Sequence, residues 1–177
     1  MKKLFISALT GMAILLSASN LCAQSSSGTL NVNCTVDPSI SITFVSDGGG
    51  VTLTGSGSNN ATLAFGHVAA FGYTPPSTIT QTVNGSTSFS VATPFDVLVT
   101  EANTTSSGYT LLAQLQTLDS TNNWYVDTLP VLSTGQTTIT STGSYNGTAM
   151  HNLKITIPFS NTTGSVSNVI SFQANAN

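Results

Sequence analysis

Side chains able to do chemistry are few in this 177-residue chain. It has two histidines, His67 and His151, and two cysteines, Cys22 and Cys34. None of these pairs has the short, fixed ligand spacing of a zinc site. No Gly-x-Ser-x-Gly elbow and no familiar Cys–His arrangement is present, so nucleophilic catalysis has no signature. The six acids are Asp37, Asp47, Asp96, Glu101, Asp119 and Asp127. Most fall at turns or strand ends, and a carboxylate pair for glycoside hydrolysis would have to be assembled in space. Asp119-Ser-Thr-Asn-Asn123 with Asp127 offers oxygen ligands for Ca²⁺ but lacks EF-hand spacing. A turn rich in Asp and Asn is the plainer reading. Ser46-Asp-Gly-Gly-Gly50 lacks the Gly-Lys-Ser/Thr of a phosphate loop. Glu101-Ala-Asn103-Thr-Thr105 fits an acidic N-glycosylation pattern, although Asn-x-Ser/Thr matches arise by chance in a chain so rich in Ser and Thr. Tyr109, Trp124, Tyr125 and Tyr145 are candidates for an aromatic ligand platform, and such rings serve equally as core or cross-strand residues. The chain therefore reads as a non-enzyme, with no cofactor and no resident metal.

The address is written at the N-terminus. Met1-Lys2-Lys3 is basic, residues 4–16 are mostly apolar, and Leu21-Cys22-Ala23 ends in a small residue. That is the pattern of a secretory signal peptide over 1–23, cleaved after Ala23. The apolar run is too short to span a membrane, and Leu21 is not the small residue that a lipid-modified Cys22 would follow. The chain is thus expected to be exported without a membrane anchor. After cleavage Lys154 is the one formal cation, against six acids and no Arg. Such a chain cannot neutralise a phosphate backbone, which excludes nucleic acid as a partner, and anionic membranes for the same reason. Cys34 is then the single cysteine, so no intramolecular disulfide forms. It is in phase with Leu30, Val32 and Val36, which predicts a small buried hydrophobe.

Charged residues are 5% of the chain, and Ser, Thr, Asn and Gly carry the polar surface. A surface like this lacks the charges that keep strand edges apart. Helical periodicity is nearly absent after residue 23, while alternation and β-branched residues dominate. Leu30, Val32, Cys34 and Val36 alternate, then Pro38 intervenes, then Ile40, Ile42 and Phe44 alternate. Pro38 has no N–H for a ladder, so it separates an arm, 24–37, from a body, 38–177. Further strands are predicted at 51–54, 61–68, 95–100, 109–117, 122–127, 136–140 and 153–159. In 78–91, a three-residue Asn84-Gly85-Ser86 loop would set Val83 opposite Thr87 and place Ile79, Val83, Phe89 and Val91 on one face. A similar loop at Asn146-Gly147 would set Ile139 opposite Ile155. His151 falls in phase with the inward face of Leu153, Ile155 and Ile157, and Lys154 alternates outward. That orientation disfavours a Lys–Asn crosslink between strands. At the C-terminus Val166, Ile170, Phe172, Ala174 and Ala176 alternate. Roughly nine or ten short strands with turns at this spacing predict an all-β, immunoglobulin-like two-sheet β-sandwich in one domain.

The two ends of the chain resemble bacterial fimbrial subunits, the pilins. Leu30-Asn-Val-Asn-Cys-Thr-Val-Asp-Pro-Ser-Ile-Ser-Ile42 is similar to the mature N-terminus of alternate-chaperone, colonisation-factor-antigen-like subunits. Gly164-Ser-Val-Ser-Asn-Val-Ile-Ser-Phe172 is similar to their last strand, and Gly164 stands fourteenth from the end, as in chaperone–usher pilins generally. The match covers the two ends only. Ala176 replaces the usual penultimate aromatic, and Cys34 is foreign to the motif. The resemblance implies a sandwich that lacks one strand in the isolated subunit. Leu30, Val32, Cys34 and Val36 would form a donor strand filling a neighbour's groove. Gly164, Val166, Ile170, Phe172 and Ala174 would border that groove. Partners would be copies of the chain or sister subunits, with a periplasmic chaperone and an usher in transit to the cell surface. The function implied is a structural subunit or adhesin of a surface fibre. The alternative is a freestanding secreted sandwich binding carbohydrate or another surface ligand through the four aromatics.

Overall fold

A computed structural model of the protein describes residues 27–162 and 164–177. The predicted signal segment lies outside the described residues. The chain divides into two units, Met1–Cys34 and Thr35–Asn177. In the first, residues 27–34 enter no strand and are exposed. The second is a β-sandwich whose described residues contain strands and turns and no helix.

Nine strands follow in order: β1 (Ser39–Val45), β2 (Thr80–Asn84), β3 (Ser88–Ala102), β4 (Tyr109–Leu115), β5 (Asn123–Val126), β6 (Leu129–Pro130), β7 (Thr137–Gly143), β8 (Thr148–Pro158) and β9 (Ile170–Ala176). One sheet runs β1-β3-β8-β5-β6, with β2 also paired to β3, and the other runs β7-β4-β9. Every pairing is antiparallel. The long β3 is the spine. Its 96–102 half pairs with β1 and its 88–92 half with β2, on the same side. Between them sits Pro94, which is in register with Asn152 of β8 on one side and has no N–H to offer a strand on the other. The gap is filled by Val51, whose N–H donates to Thr93 Oγ1 (3.0 Å), while that hydroxyl donates to Thr78 O (2.8 Å). Thr93 is therefore fully buried at no polar cost.

Alternation decides the core. Phe89, Val91, Phe95, Val97 and Val99 of β3 face Tyr109, Leu111, Ala113 and Leu115 of β4, with Trp124, Val126, Ile155 and Ile157 beside them. At about 1.5–3 kcal/mol for each fully buried large apolar side chain, this core supplies the main driving force for folding.

Several sequence expectations need correction. Residues 51–54 and 61–68 are not strands but strand-like loop, joined by a single bridge, Thr54 with Thr62. The β2–β3 hairpin keeps Ile79, Val83, Phe89 and Val91 on one side by register, but Val83 is exposed, the loop is Gly85-Ser86-Thr87, and Val83 pairs with Phe89 rather than Thr87. Asn84 is held in the ladder because its Nδ2 donates to Ser90 Oγ at 2.7 Å, which moves the turn one residue on to Gly85, at φ 61°. Asn146-Gly147 makes no hairpin. β7 pairs with β4 in the second sheet and β8 with β3 in the first, so Ile139 does not oppose Ile155. The turn crosses between sheets instead, anchored by Asn146 N–H to Val99 O (2.8 Å).

Candidate functional site

The core is tight under β3 and β4 and loosens where β1 and β9 face each other. The apolar side chains of β1 and β9 on the sandwich interior, Ile42, Phe44, Ile170, Phe172 and Ala174, are only half-buried. Between them lies a groove of about 900 Å³. Its floor holds Phe44, Phe95, Ile155 and Phe172, with the Phe172 ring edge-on to Phe44 (5.3 Å) and to Phe95 (5.9 Å). One wall is 59–68 and the other is 164–172. No Asp, Glu or Lys lines it.

Part of the backbone of each wall lacks a ladder partner among the described residues. Among the described residues, β9 has a partner on one side only, β4, and β1 only β3 apart from a bridge between Phe44 and Ser58. No backbone hydrogen bond joins 63–69 or 165–167 to another described residue. Unpaired N–H and C=O groups flanking an apolar floor are what an added strand needs: ladder partners at its edges and pockets beneath alternate side chains. The rim also carries uncharged polar side chains, among them Asn59, Asn60, Gln116 and Asn168, together with His67.

The C-terminal residues singled out from sequence gather here. Gly164, Val166, Ile170 and Phe172 line the groove; Ala174 does not, although its half-buried side chain packs on the core. Leu30, Val32 and Val36 expose 86, 78 and 63% of their surface. Cys34 is exposed too, contrary to the expectation of burial, and residues 27–38 form no strand. Sequence reasoning missed the 59–68 wall as a groove element, taking part of it for an ordinary strand. Its signal was present: Ala61, Leu63 and Phe65 alternate and are half-buried against the core, yet no strand partner follows.

The four aromatics do not make a platform. Tyr109 and Trp124 are buried. Tyr145 packs on Tyr109 (5.6 Å), and the Tyr125 ring lies under Lys154 Nζ at 4.2 Å. That contact fits Lys154 pointing away from the core, as alternation predicted. His151 is buried as expected, with Nδ1 3.0 Å from Asp127 Oδ2 and Nε2 buried without a partner. No hydroxyl or thiol among the described residues bonds to it. Asp119 is consumed by the fold. Its carboxylate accepts from Thr121 N, Asn122 N, Asn122 Nδ2 and Trp124 Nε1. Burial pushes its pKa up, but these hydrogen bonds outweigh burial and hold it down at about 2. A carboxylate so engaged caps its own turn. No group of His, Cys, Asp and Glu able to hold a metal occurs among the described residues.

No protein-family model, curated protein or solved structure matches the chain.

Proposed function

We propose that the protein is an exported structural subunit of a cell-surface, fimbria-like fibre, built by donor-strand exchange between copies of the chain or with sister subunits. In this reading it is an immunoglobulin-like sandwich with one strand supplied by a neighbour. The arm of one subunit enters the groove of the next, and its Leu30, Val32, Cys34 and Val36 fill the floor between β1 and β9. The carrying observation is the groove: an apolar floor with no Asp, Glu or Lys in its lining, flanked by wall segments 63–69 and 165–167 that have no ladder partner among the described residues. A chain that offers an exposed alternating apolar arm and an open apolar groove has both halves of one contact. Burial of these four side chains would contribute about 5–10 kcal/mol before ordering costs. The exposed Cys34 then has an apolar place in the assembly rather than in its own subunit. A periplasmic chaperone would cover the same groove before assembly, and an usher would order the exchange.

Deletion of 24–37 downstream of the signal tests this. In the native host, electron microscopy should show fibres with the full chain and none with the deletion, while the deleted chain is recovered folded with a chaperone. Fibres that still form without the arm would sink the proposal.

A further inference from the structure

The chain carries six Asn-x-Ser/Thr triplets, at Asn33, Asn60, Asn84, Asn103, Asn146 and Asn161. The structure separates them. Asn84 and Asn161 spend their amides internally, on Ser90 Oγ (2.7 Å) and Asn122 Oδ1 (3.0 Å). Asn60 lines the groove. Asn146 has its backbone N–H tied to Val99 O in the crossover between sheets. Asn33 is exposed but follows Asn31 at the position where an acid is wanted. Asn103 alone has an acid two residues before it, Glu101, and Thr105 two residues after.

Asn103 also has the right local geometry. It is exposed and stands one residue beyond the end of β3, at φ 57°, so the chain leaves the sheet at that point. Its amide makes no hydrogen bond to another described residue, and residues 103–105 carry no ladder bond. Only the last two rungs with β1, Ser39 with Ala102 and Ile40 with Glu101, would need to open for 101–105 to be drawn into an extended form. Glu101 Oε2 is buried without a partner, so no internal bond of that oxygen is lost when Glu101 turns outward. Exposed loop segments at element ends are where enzymes reach a folded substrate.

We infer that Asn103 is a site of N-linked glycosylation by an acidic-sequon oligosaccharyltransferase. The co-substrate is a polyprenyl-diphosphate-linked glycan. The bond from sugar C1 to the diphosphate oxygen breaks, the C1–Nδ2 bond forms, Nδ2 gives one proton to solvent, and polyprenyl diphosphate leaves. Glu101 offers the negative charge that a cation of the transferase pairs with, and Thr105 supplies the hydroxyl the triplet requires. Asn103 is not a lining residue of the groove, so this inference stands whether or not the groove receives a strand.

The test is export of the full chain in a bacterium supplied with such a transferase and its lipid-linked glycan, read by intact mass and peptide mapping. One glycan is expected, on the peptide carrying Asn103. Asn103→Asp, which tolerates the left-handed backbone, and Thr105→Ala, which keeps Asn103, should each abolish it with unchanged thermal melts. Glu101→Gln should lower occupancy severalfold. A folded, exported chain left unmodified, a glycan placed on any of the other five asparagines instead, or full occupancy in Glu101→Gln would each overturn the inference.

Discussion

Asp119 organises the turn before β5 through one carboxylate. It accepts two backbone N–H groups and the indole N–H of the buried Trp124 (2.8 Å). Its pKa falls from an ordinary 3.8 to about 2, so its stabilisation is fully present above about pH 4 and is lost as pH falls through about 2. Asp119→Ala should cost about 1–2 kcal/mol at neutral pH and flatten the acid limb of the stability curve between those values, measured by urea melts across pH. Leu111, fully buried, and Leu30, 86% exposed, should behave oppositely. Leu111→Ala should lower the stability of the isolated chain by about 2–5 kcal/mol, whereas Leu30→Ala should leave it within about 0.5 kcal/mol. The alternation that marks Leu30 as a strand residue was legible in sequence. Which body buries it was not, because period two says that a face is apolar and nothing about what covers it.

At the scale of elements, β3 shows how far local pattern carries. The apolar alternation on both sides of Pro94 was readable, but the residues join into one 15-residue strand, because Pro94 falls at the gap between β1 and β2. The close approach there is guarded by Gly50: a Cβ would collide with the carbonyl oxygen of Pro94. Gly50→Ala should destabilise by about 1–3 kcal/mol, seen as a lower denaturant midpoint with the same slope. The two Asn-Gly turns had the same local signature and different outcomes. The one at Asn84 closes a hairpin and the one at Asn146 crosses between sheets. Turn chemistry sets backbone geometry over a few residues, and the sheet that each flanking strand joins is decided by burial far away in sequence.

For the whole molecule, the unequal filling of the sandwich matters most. The β3–β4 side is closed, and the β1–β9 side opens on an apolar groove. Such a sandwich should gain stability when the groove is filled. A synthetic peptide of residues 27–37 added to the arm-deleted chain should raise its melting temperature. At a hundredfold excess over its dissociation constant the gain would be about 2.7 kcal/mol. The same peptide with Val32→Asp should give no shift, since a charge would enter a groove that has no charged lining to pair it. A shift from both peptides, or from neither, would count against strand addition in the groove.

By itself the sequence determined the all-β class, the inward faces of most strands, the burial of His151, the outward Lys154 and the scarcity of chemistry. These are period-two and composition properties, set by residues close together in the chain. Only the tertiary structure decided that 63–68 has no backbone partner among the described residues, that Tyr109 and Trp124 are core, which groups Asp119 caps, and that a groove opens between 59–68 and 164–172. Those depend on which segments meet across the chain. A strand's edge can be called unpaired only when every other strand has been placed.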